Sequence, residues 1–407
     1  MKEGPAVSKY AILGILWIAY LLNYVDRQMA FSWFPVLRRE VSFSETQLGL
    51  IGAVFLWSYS ICAPFGGRIS DLLSRRVVIQ ASLAGWSIAT IATAFSRSPG
   101  VFLFWRGVVG VTEGFYMPTA AAILATVFGS RRKGKAMAAH GSAQFAGIAL
   151  GGWLGGLLAQ TWGWRAACCT MGLVGLFYGL VLAWKLRPGE PAREGRAPAP
   201  ERFEMSGLLV AMAAAYFLIC AMLWMLYAWL PDTIHSRFGL SLAGSGWNAT
   251  LFLQISSATG LLGGGVLGDW AGARWASGRC YLVAAGLLVA TPFAYAIFLA
   301  GSLPVLRVCS IGFGLFTGIM LSNVVPSAFD LAPAARYGQV AGSMTLVGGF
   351  GGGVATLAAG ALRARIDVSS LMSGAALAGS LAALILALTV RHHFKEAVVW
   401  PALLKQA

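Results

Sequence analysis

The sequence predicts an all-α membrane protein, with twelve transmembrane helices arranged as two parallel six-helix repeats. Three observations lead there. Hydrophobic residues make up 58% of the chain and charged residues 11%, whereas a soluble domain carries about 25% charged residues. Apolar segments approaching or reaching the roughly 17–25 residues that a helix needs to cross hydrocarbon recur along the chain. Polar landmarks of the first half return about two hundred residues later, as an internal repeat does.

The first apolar segment, Tyr10–Leu37, is too long for the core of a signal peptide and holds Asp26 and Arg27, so it reads as a retained helix. Five more follow at Gln47–Gly67, Val77–Phe95, Val101–Phe128, Ala136–Ala159 and Ala166–Trp184, separated by short polar or basic breaks. The stretch from Leu186 to Met205, with Pro188, Pro191, Pro198 and Pro200 among mixed charges, reads as a linker. The second set runs Ser206–Leu230, Trp247–Leu267, Tyr281–Ala300, Leu303–Leu331, Val340–Leu362 and Ser369–Val390. The organisation is therefore an N-terminal bundle over 1–185, a linker over 186–205, a C-terminal bundle over 206–390 and a tail over 391–407. An even number of spans in each half gives the halves the same orientation.

Basic residues fix that orientation. The run Arg131, Arg132, Lys133, Lys135 and the linker arginines fall on the same side as Lys9, Arg75 and Arg76, and the opposite loops hold fewer, which predicts cytoplasmic termini and a cytoplasmic linker. The location expected is a cell's inner (plasma) membrane. A net charge of +15 arises from short clusters between apolar segments, without interleaved aromatics or a single basic face, and this excludes nucleic acid as a partner. The six cysteines lie in apolar segments or at their ends without metal-ligand spacing, and read as buried thiols. The four histidines are scattered, and no nucleophile with its base accompanies them, so the chain is not read as an enzyme and needs no cofactor or metal. The lipid bilayer is its surroundings, and a monomer is the expected state.

Gly67–Arg68–Ile69–Ser70–Asp71 with Arg75 and Arg76 follows the second span, and Gly265–Val266–Leu267–Gly268–Asp269 with Arg274 follows the eighth. Arg106 opens the fourth span as Arg307 opens the tenth. Glycines at 147, 151 and 155 find counterparts at 348 and 352, and such small-x-x-x-small steps chiefly let helices approach closely. This parallel duplication and the Gly-x-x-x-Asp-x-x-x-Arg-Arg loop resemble the major facilitator superfamily over nearly the whole chain. Ser74 stands where that family usually has glycine. The resemblance implies that Asp71, Arg75 and Arg76 latch a cytoplasmic gate, with Asp269 and Arg274 as its weaker copy.

Few membrane charges are placed beyond reach of water. Asp26 and Arg27 lie past the midpoint of the first span; Glu113 lies near the midpoint of the fourth, with Arg106 two turns outward on the same face, about 10 Å along the axis. A charge at bilayer depth costs roughly 2.5–3.5 kcal/mol on the gentlest scale and is a functional-site hypothesis by default. Asp26 and Arg27 point about 100° apart, so at least one needs a partner on another span. Neutral structural glue is the alternative, but apolar residues of equal volume stabilise a bundle as well or better. Asn23, Tyr20, Tyr24, Tyr59, Tyr116 and Gln144 add polar groups nearby, and His140, near the basic loop, reads as a solvated or interfacial group. The second half has no equivalent charges; it offers Trp224, Tyr227, Trp229, Asn323 and Thr345.

The segment Asn23–Arg27, Arg106 with Glu113, and Tyr59 and Gln144 by position resemble the anion:cation symporter family, which includes bacterial sugar-acid and aromatic-acid carriers. That resemblance implies proton-coupled symport of a small organic anion by alternating access. It assigns substrate to Arg27, Tyr59 and Gln144, with Asn23, Tyr24 and Tyr227 beside them, and proton coupling to Asp26 and Glu113 with Arg106. Spinster-type lipid carriers share the Asn-Tyr-x-Asp-Arg pattern and the fourth-span Arg and Glu. A lysophospholipid or another amphiphile is therefore the alternative cargo.

Overall fold

A computed structural model of the protein describes residues 8–185, 206–333, 336–363 and 365–397; the linker lies outside it, as do the side chains at 67, 68, 71, 130, 131, 393 and 395–397. Its secondary structure is helical, with no strand among the described residues. Eleven helical stretches are long and apolar enough to span a membrane among the described residues. The twelfth, at the N-terminus, falls outside that group because it carries Asn23, Asp26 and Arg27.

The first span is not one continuous helix. Helix α1 (Lys9–Met29) passes through a 3-10 turn (Ala30–Trp33) into the short α2 (Phe34–Glu40). Pro35 has no N–H for the Phe31 carbonyl, which accounts for the break. Serines start the next three helices. Ser44 and Gln47 form a reciprocal capping box at α3 (Glu45–Leu72), with bonds of 3.0 and 3.3 Å. Ser74 caps α4 (Arg75–Ala94) through the Val77 N–H at 3.3 Å, so the serine that departs from the family glycine has work at a helix start. Ser98 caps α5 (Pro99–Gly114), with Pro99 in the first turn.

The fourth span is broken too. α5 gives way to α6 (Tyr116–Thr161) at Phe115, where Pro118 leaves the Gly114 carbonyl without its helical donor. The break directly follows Glu113. α6 in turn holds the rest of the fourth span and the fifth, divided at Gly129, whose φ of 64° a side chain would strain. α7 (Gly163–Lys185), α8 (Gly207–Phe238), α9 (Leu242–Arg274), α10 (Gly278–Leu299), α11 (Leu303–Asp330), α12 (Tyr337–Leu362) and α13 (Val368–Ala397) complete the chain.

The helices form two compact units. The first holds α1–α7 together with residues Tyr227–Thr250, the hairpin where α8 turns into α9; the second holds the rest of α8 and α9 with α10–α13. Within the first unit α1 packs on α6, α3 on α5 and α4 on α7. Glycines make these contacts close. A Cβ at Gly147 would lie 2.6 Å from Tyr24 Cβ, and one at Gly151 would lie 2.7 Å from the Val25 carbonyl. Gly110 and Gly114 bring α5 onto Phe55 and Tyr59 of α3 in the same way. The charged turn of α1 is therefore held against α6 from one side while α5 delivers Glu113 from another.

At the end of the first unit opposite the basic loops, Arg38 forks onto Glu45 (2.6 and 3.1 Å) and onto Asp232 (3.3 and 3.2 Å). Burial works against the Arg38 charge, but hydrogen bonds to Glu45 and the charge and hydrogen bonds of Asp232 outweigh it and hold the guanidinium above the ordinary arginine value. Gln28 Nε2 donates to the Tyr227 carbonyl at 3.0 Å, tying α1 to the hairpin. In the second unit α10 packs on α11 and α13. Asn323 Nδ2 donates to the Gly264 carbonyl at 2.9 Å and draws α11 against α9.

Candidate functional site

Asp26 and Arg27 leave α1 in different directions, as adjacent helical residues must, and each finds partners on other helices. Arg27 Nη2 donates to Glu113 Oε2 at 2.8 Å and to Asn23 Oδ1, one turn back, at 3.1 Å. The guanidinium lies against three rings, its Cζ being 4.3 Å from the centroid of Tyr24, 4.6 Å from Phe55 and 4.8 Å from Tyr59. Arg27 is 3% exposed and Glu113 1%, so the pair is shielded from water. Glu113 Oε1, Arg27 Nε and Asn23 Nδ2 have no hydrogen-bond partner among the described residues. The pair and its neighbour Asn23 thus leave three buried polar atoms that call for an explanation.

Asp26 occupies a separate compartment. Thr90 Oγ1 of α4 donates to it, 3.1 Å from each carboxylate oxygen. Arg106 Nη1 stands 3.8 Å from Asp26 Oδ2, too far for a hydrogen bond, while Arg106 Nη2 donates to the Arg27 carbonyl at 2.7 Å. Seven residues place Arg106 and Glu113 on one face, and the sequence left Glu113 open to Arg106 or Arg27 and Asp26 open to Arg106. The observed hydrogen bonds send Arg106 to the backbone of Arg27 and Glu113 to its side chain.

Tyr59 is half-buried on α3 against Arg27, and Tyr24 is buried. Gln144 is half-buried on α6, one turn before the Gly147 that packs on Tyr24. Tyr227 is buried in the hairpin and meets the α1 side through its carbonyl, by way of Gln28. Thr90, Phe55 and Gln28 escaped sequence reasoning. Gln28 adjoins the charged motif and could have been included; a lone threonine or phenylalanine in an apolar helix carries no such signal.

His140 is a correction. It is 0% exposed, not solvated, and stacks on Tyr20 with centroids 4.6 Å apart. The Tyr116 hydroxyl donates to the Leu16 carbonyl at 2.6 Å, so its oxygen accepts from His140 Nε2 at 3.3 Å. This assigns the imidazole proton to Nε2 and leaves Nδ1 as an acceptor without a partner among the described residues. Proximity to the basic loop suggested water, but the aromatic residues of α1 and α6 cover the ring.

Of the residues expected at a gate, the Asp71 side chain lies outside the described ones. Arg75 Nη1 donates to Thr126 Oγ1 at 2.7 Å and to the Ala122 carbonyl at 3.2 Å, and Arg76 donates to the Ala183 carbonyl. Asp269 pairs with Arg279 at 2.6 Å, whereas Arg274 lies over the Trp270 ring at 4.5 Å. No cluster of His, Cys, Asp and Glu able to hold a metal occurs among the described residues.

Two repeats of membrane-spanning helices, with paired charges buried in one of them, define a multi-pass membrane transporter. The chain belongs to the Major Facilitator Superfamily, which it matches over residues 16–356. It is 27% identical to the probable sulfoacetate transporter SauU of Cupriavidus necator over 93% of this chain and 94% of that protein. It is 22% identical to the D-galactonate transporter of Escherichia coli O6:H1 over 88% and 90%. Its fold is similar to a crystal structure of a bacterial homolog of the human lysosomal transporter Spinster in an inward-facing and occupied conformation. That likeness has a TM-score of 0.82, 19% identity, and coverage of 97% of this chain and 99% of the other.

Proposed function

We propose that the protein is a proton-coupled symporter of a small organic anion, a sugar acid or another carboxylate or sulfonate. The observation that carries this reading is the Arg27–Glu113 contact, a buried guanidinium whose bound carboxylate is itself titratable. An incoming anion takes the Arg27 fork from Glu113, since a carboxylate or sulfonate offers the same acceptor geometry. Released from the guanidinium, Glu113 takes a proton, because a lone buried carboxylate is costly in its charged form. Tyr24 and Tyr59 flank the bound anion, Asn23 and Gln144 supply polar contacts, and Tyr227 lies beyond them. Asp26 is the second proton site, held by Thr90 and Arg106. The neutralised assembly then reorients, with Asp71, Arg75, Arg76, Asp269 and Arg274 at the cytoplasmic gate. Both termini face the cytoplasm across the inner (plasma) membrane, and one chain suffices as a monomer.

The names of two relatives support a compact anion as cargo. One observation favours the lysolipid alternative: a cavity of about 80 Å³ in the second unit, lined by Leu209, Ala213, Val340, Met344 and Val347 with Gln339 and Ser343, suits an alkyl chain better than a polyol. Uptake by proteoliposomes, comparing sugar acids and sulfonates with lysophospholipids, with and without an inward proton gradient, separates the two. Gradient-driven accumulation of an acid and none of lysolipid is expected. Lysolipid movement alone would overturn the anion reading, and accumulation indifferent to the gradient would overturn the coupling.

A further inference from the structure

Beside Asp26, α1, α4, α5 and α7 enclose a small chamber of about 10 Å³, lined by Asp26, Trp33, Thr90, Thr93, Arg106 and Cys168 among others. It lies on the side of Asp26 toward Trp33, at the end of the bundle opposite the basic loops, and all its walls belong to the first unit. A cavity of roughly 10–15 Å³ accommodates one water molecule when two or more polar groups line it. Here the polar groups are present and incompletely used. Arg106 is 4% exposed, and its Nε has no hydrogen-bond partner among the described residues. The gap of 3.8 Å from Arg106 Nη1 to Asp26 Oδ2 is too long for a direct bond. Asp26 therefore holds one good donor, Thr90, where an ionised carboxylate offers about four acceptor sites.

We propose that this chamber is a binding site for a single water molecule that bridges Arg106 to Asp26 and delivers the proton to Asp26. The transfer balances simply. A proton arriving from the opposite face adds to the water oxygen, another proton of that water passes to an Asp26 carboxylate oxygen, and the water remains. The groups facing Asp26 are Thr90 from α4, Arg106 from α5 and Cys168 from α7, with Arg27 and Glu113 further along the same charge network. Glu113 is turned to the aromatic cage around Arg27, so each carboxylate has its own surroundings: Glu113 shares a guanidinium with the substrate, and Asp26 shares a water with Arg106. This inference rests on the proton-coupled reading above and assigns the route by which one of its two sites is loaded.

Filling the chamber tests it. Cys168→Val adds a branch inside the chamber, Cys168→Ser adds no bulk to it, and Cys169→Val serves as the neighbour that does not line it. In proteoliposomes, Cys168→Val is expected to slow gradient-driven uptake by about 100-fold, the lower figure for losing a positioned proton-transfer group. Counterflow, which moves no net proton, falls far less. Cys168→Ser and Cys169→Val keep gradient-driven uptake. In infrared spectra of the reconstituted protein, the protonated-carboxyl band that Asp26→Asn removes exchanges with deuterium more slowly in Cys168→Val. Equal losses of uptake and counterflow, or unchanged exchange, overturn the proposal. If Asp26→Asn abolishes gradient-driven uptake and Cys168→Val does not, the chamber fails while the coupled reading stands. If Asp26→Asn leaves gradient-driven uptake intact, the role of Asp26 in coupling fails, and the chamber proposal with it.

Discussion

Replacing Glu113 with glutamine should tighten substrate binding while abolishing accumulation. The Glu113 carboxylate is bound to Arg27 at 2.8 Å and is 1% exposed, so on the proposed function an incoming anion has to displace it. A hydrogen bond to a charged group contributes about 1.5–3 kcal/mol and a neutral one about 0.5–1.5 kcal/mol. Glutamine keeps an acceptor oxygen and still bonds a charged guanidinium, but at the low end of the charged range because the ion-pair attraction is gone. A difference of about 1–1.5 kcal/mol across that range corresponds to roughly 5–13-fold tighter binding. Arg27 meanwhile lacks a countercharge until substrate arrives, and an unpaired buried charge costs up to about 3–5 kcal/mol, offset in part by the amide oxygen. Ligand-free Glu113→Gln should therefore melt lower in detergent and recover further than wild type when ligand is added. Binding measured by intrinsic fluorescence, with counterflow and gradient-driven uptake on the same preparation, reads all three effects. Equal or weaker binding would refute competition for Arg27, and undiminished accumulation would refute the role of Glu113 as a proton carrier.

Thr90→Val removes the hydrogen-bond donor to both oxygens of Asp26 and should cost about 1–3 kcal/mol in thermal stability. Thr90→Ser should restore it, and the pH profile of uptake should move with Val but not with Ser. Gly151→Val drives a side chain to within 2.7 Å of the Val25 carbonyl and should lose about 1–3 kcal/mol or prevent assembly, whereas Gly14→Ala, with nothing within 4 Å, should be neutral by the same unfolding measurement. Asp232→Asn should destabilise more than Glu45→Gln, since Asp232 is 3% exposed at its side chain and Glu45 30%, and exposed pairs contribute only about 0–1 kcal/mol. Arg279→Asp should impair transport more than Arg274→Asp, and Asp269→Arg should rescue the former only, because the ion pair of Asp269 is with Arg279.

Four charges stood out in the sequence because lipid makes any charge conspicuous, and Asp26, Arg27, Arg106 and Glu113 are all buried. Their pairing was left open, with Glu113 facing either Arg106 or Arg27 and Asp26 facing Arg106. Helical spacing fixes which way a side chain leaves its own axis, but the partner depends on how two helices are rotated against each other. That rotation is set here by contacts such as Gly147 on Tyr24 and Gly110 on Phe55. Spacing put Arg106 and Glu113 on one face; rotation gave them different partners. The twelve spans were legible from hydropathy, while the breaks at Ala30 and Phe115 depend on single missing donors at Pro35 and Pro118 within otherwise apolar runs. His140 misled because distance along the chain from a basic loop is a poor measure of depth when Tyr20 and Tyr116 cover the ring.

The charge balance of the first unit constrains what can be carried. Apart from Asp232, which pairs with Arg38, its buried charged side chains among the described residues are two carboxylates and two guanidinium groups, and they sum to zero. An anion that enters this interior and takes Arg27 leaves one uncompensated negative charge for each charge it carries. Such a charge in a water-poor bundle costs several kcal/mol, so it is cancelled before the bundle moves. On the proposed function Glu113 is the first group to cancel it, because it is the one that gives up its partner Arg27, and Asp26 is the second. On the proposed coupling a monoanion takes up one proton and a dianion two, and apart from the paired Asp232 no further buried carboxylate of the first unit is left among the described residues to accept a third. The two compartments therefore set an upper limit: substrates with more than two negative charges should be bound weakly and not accumulated, whatever their size.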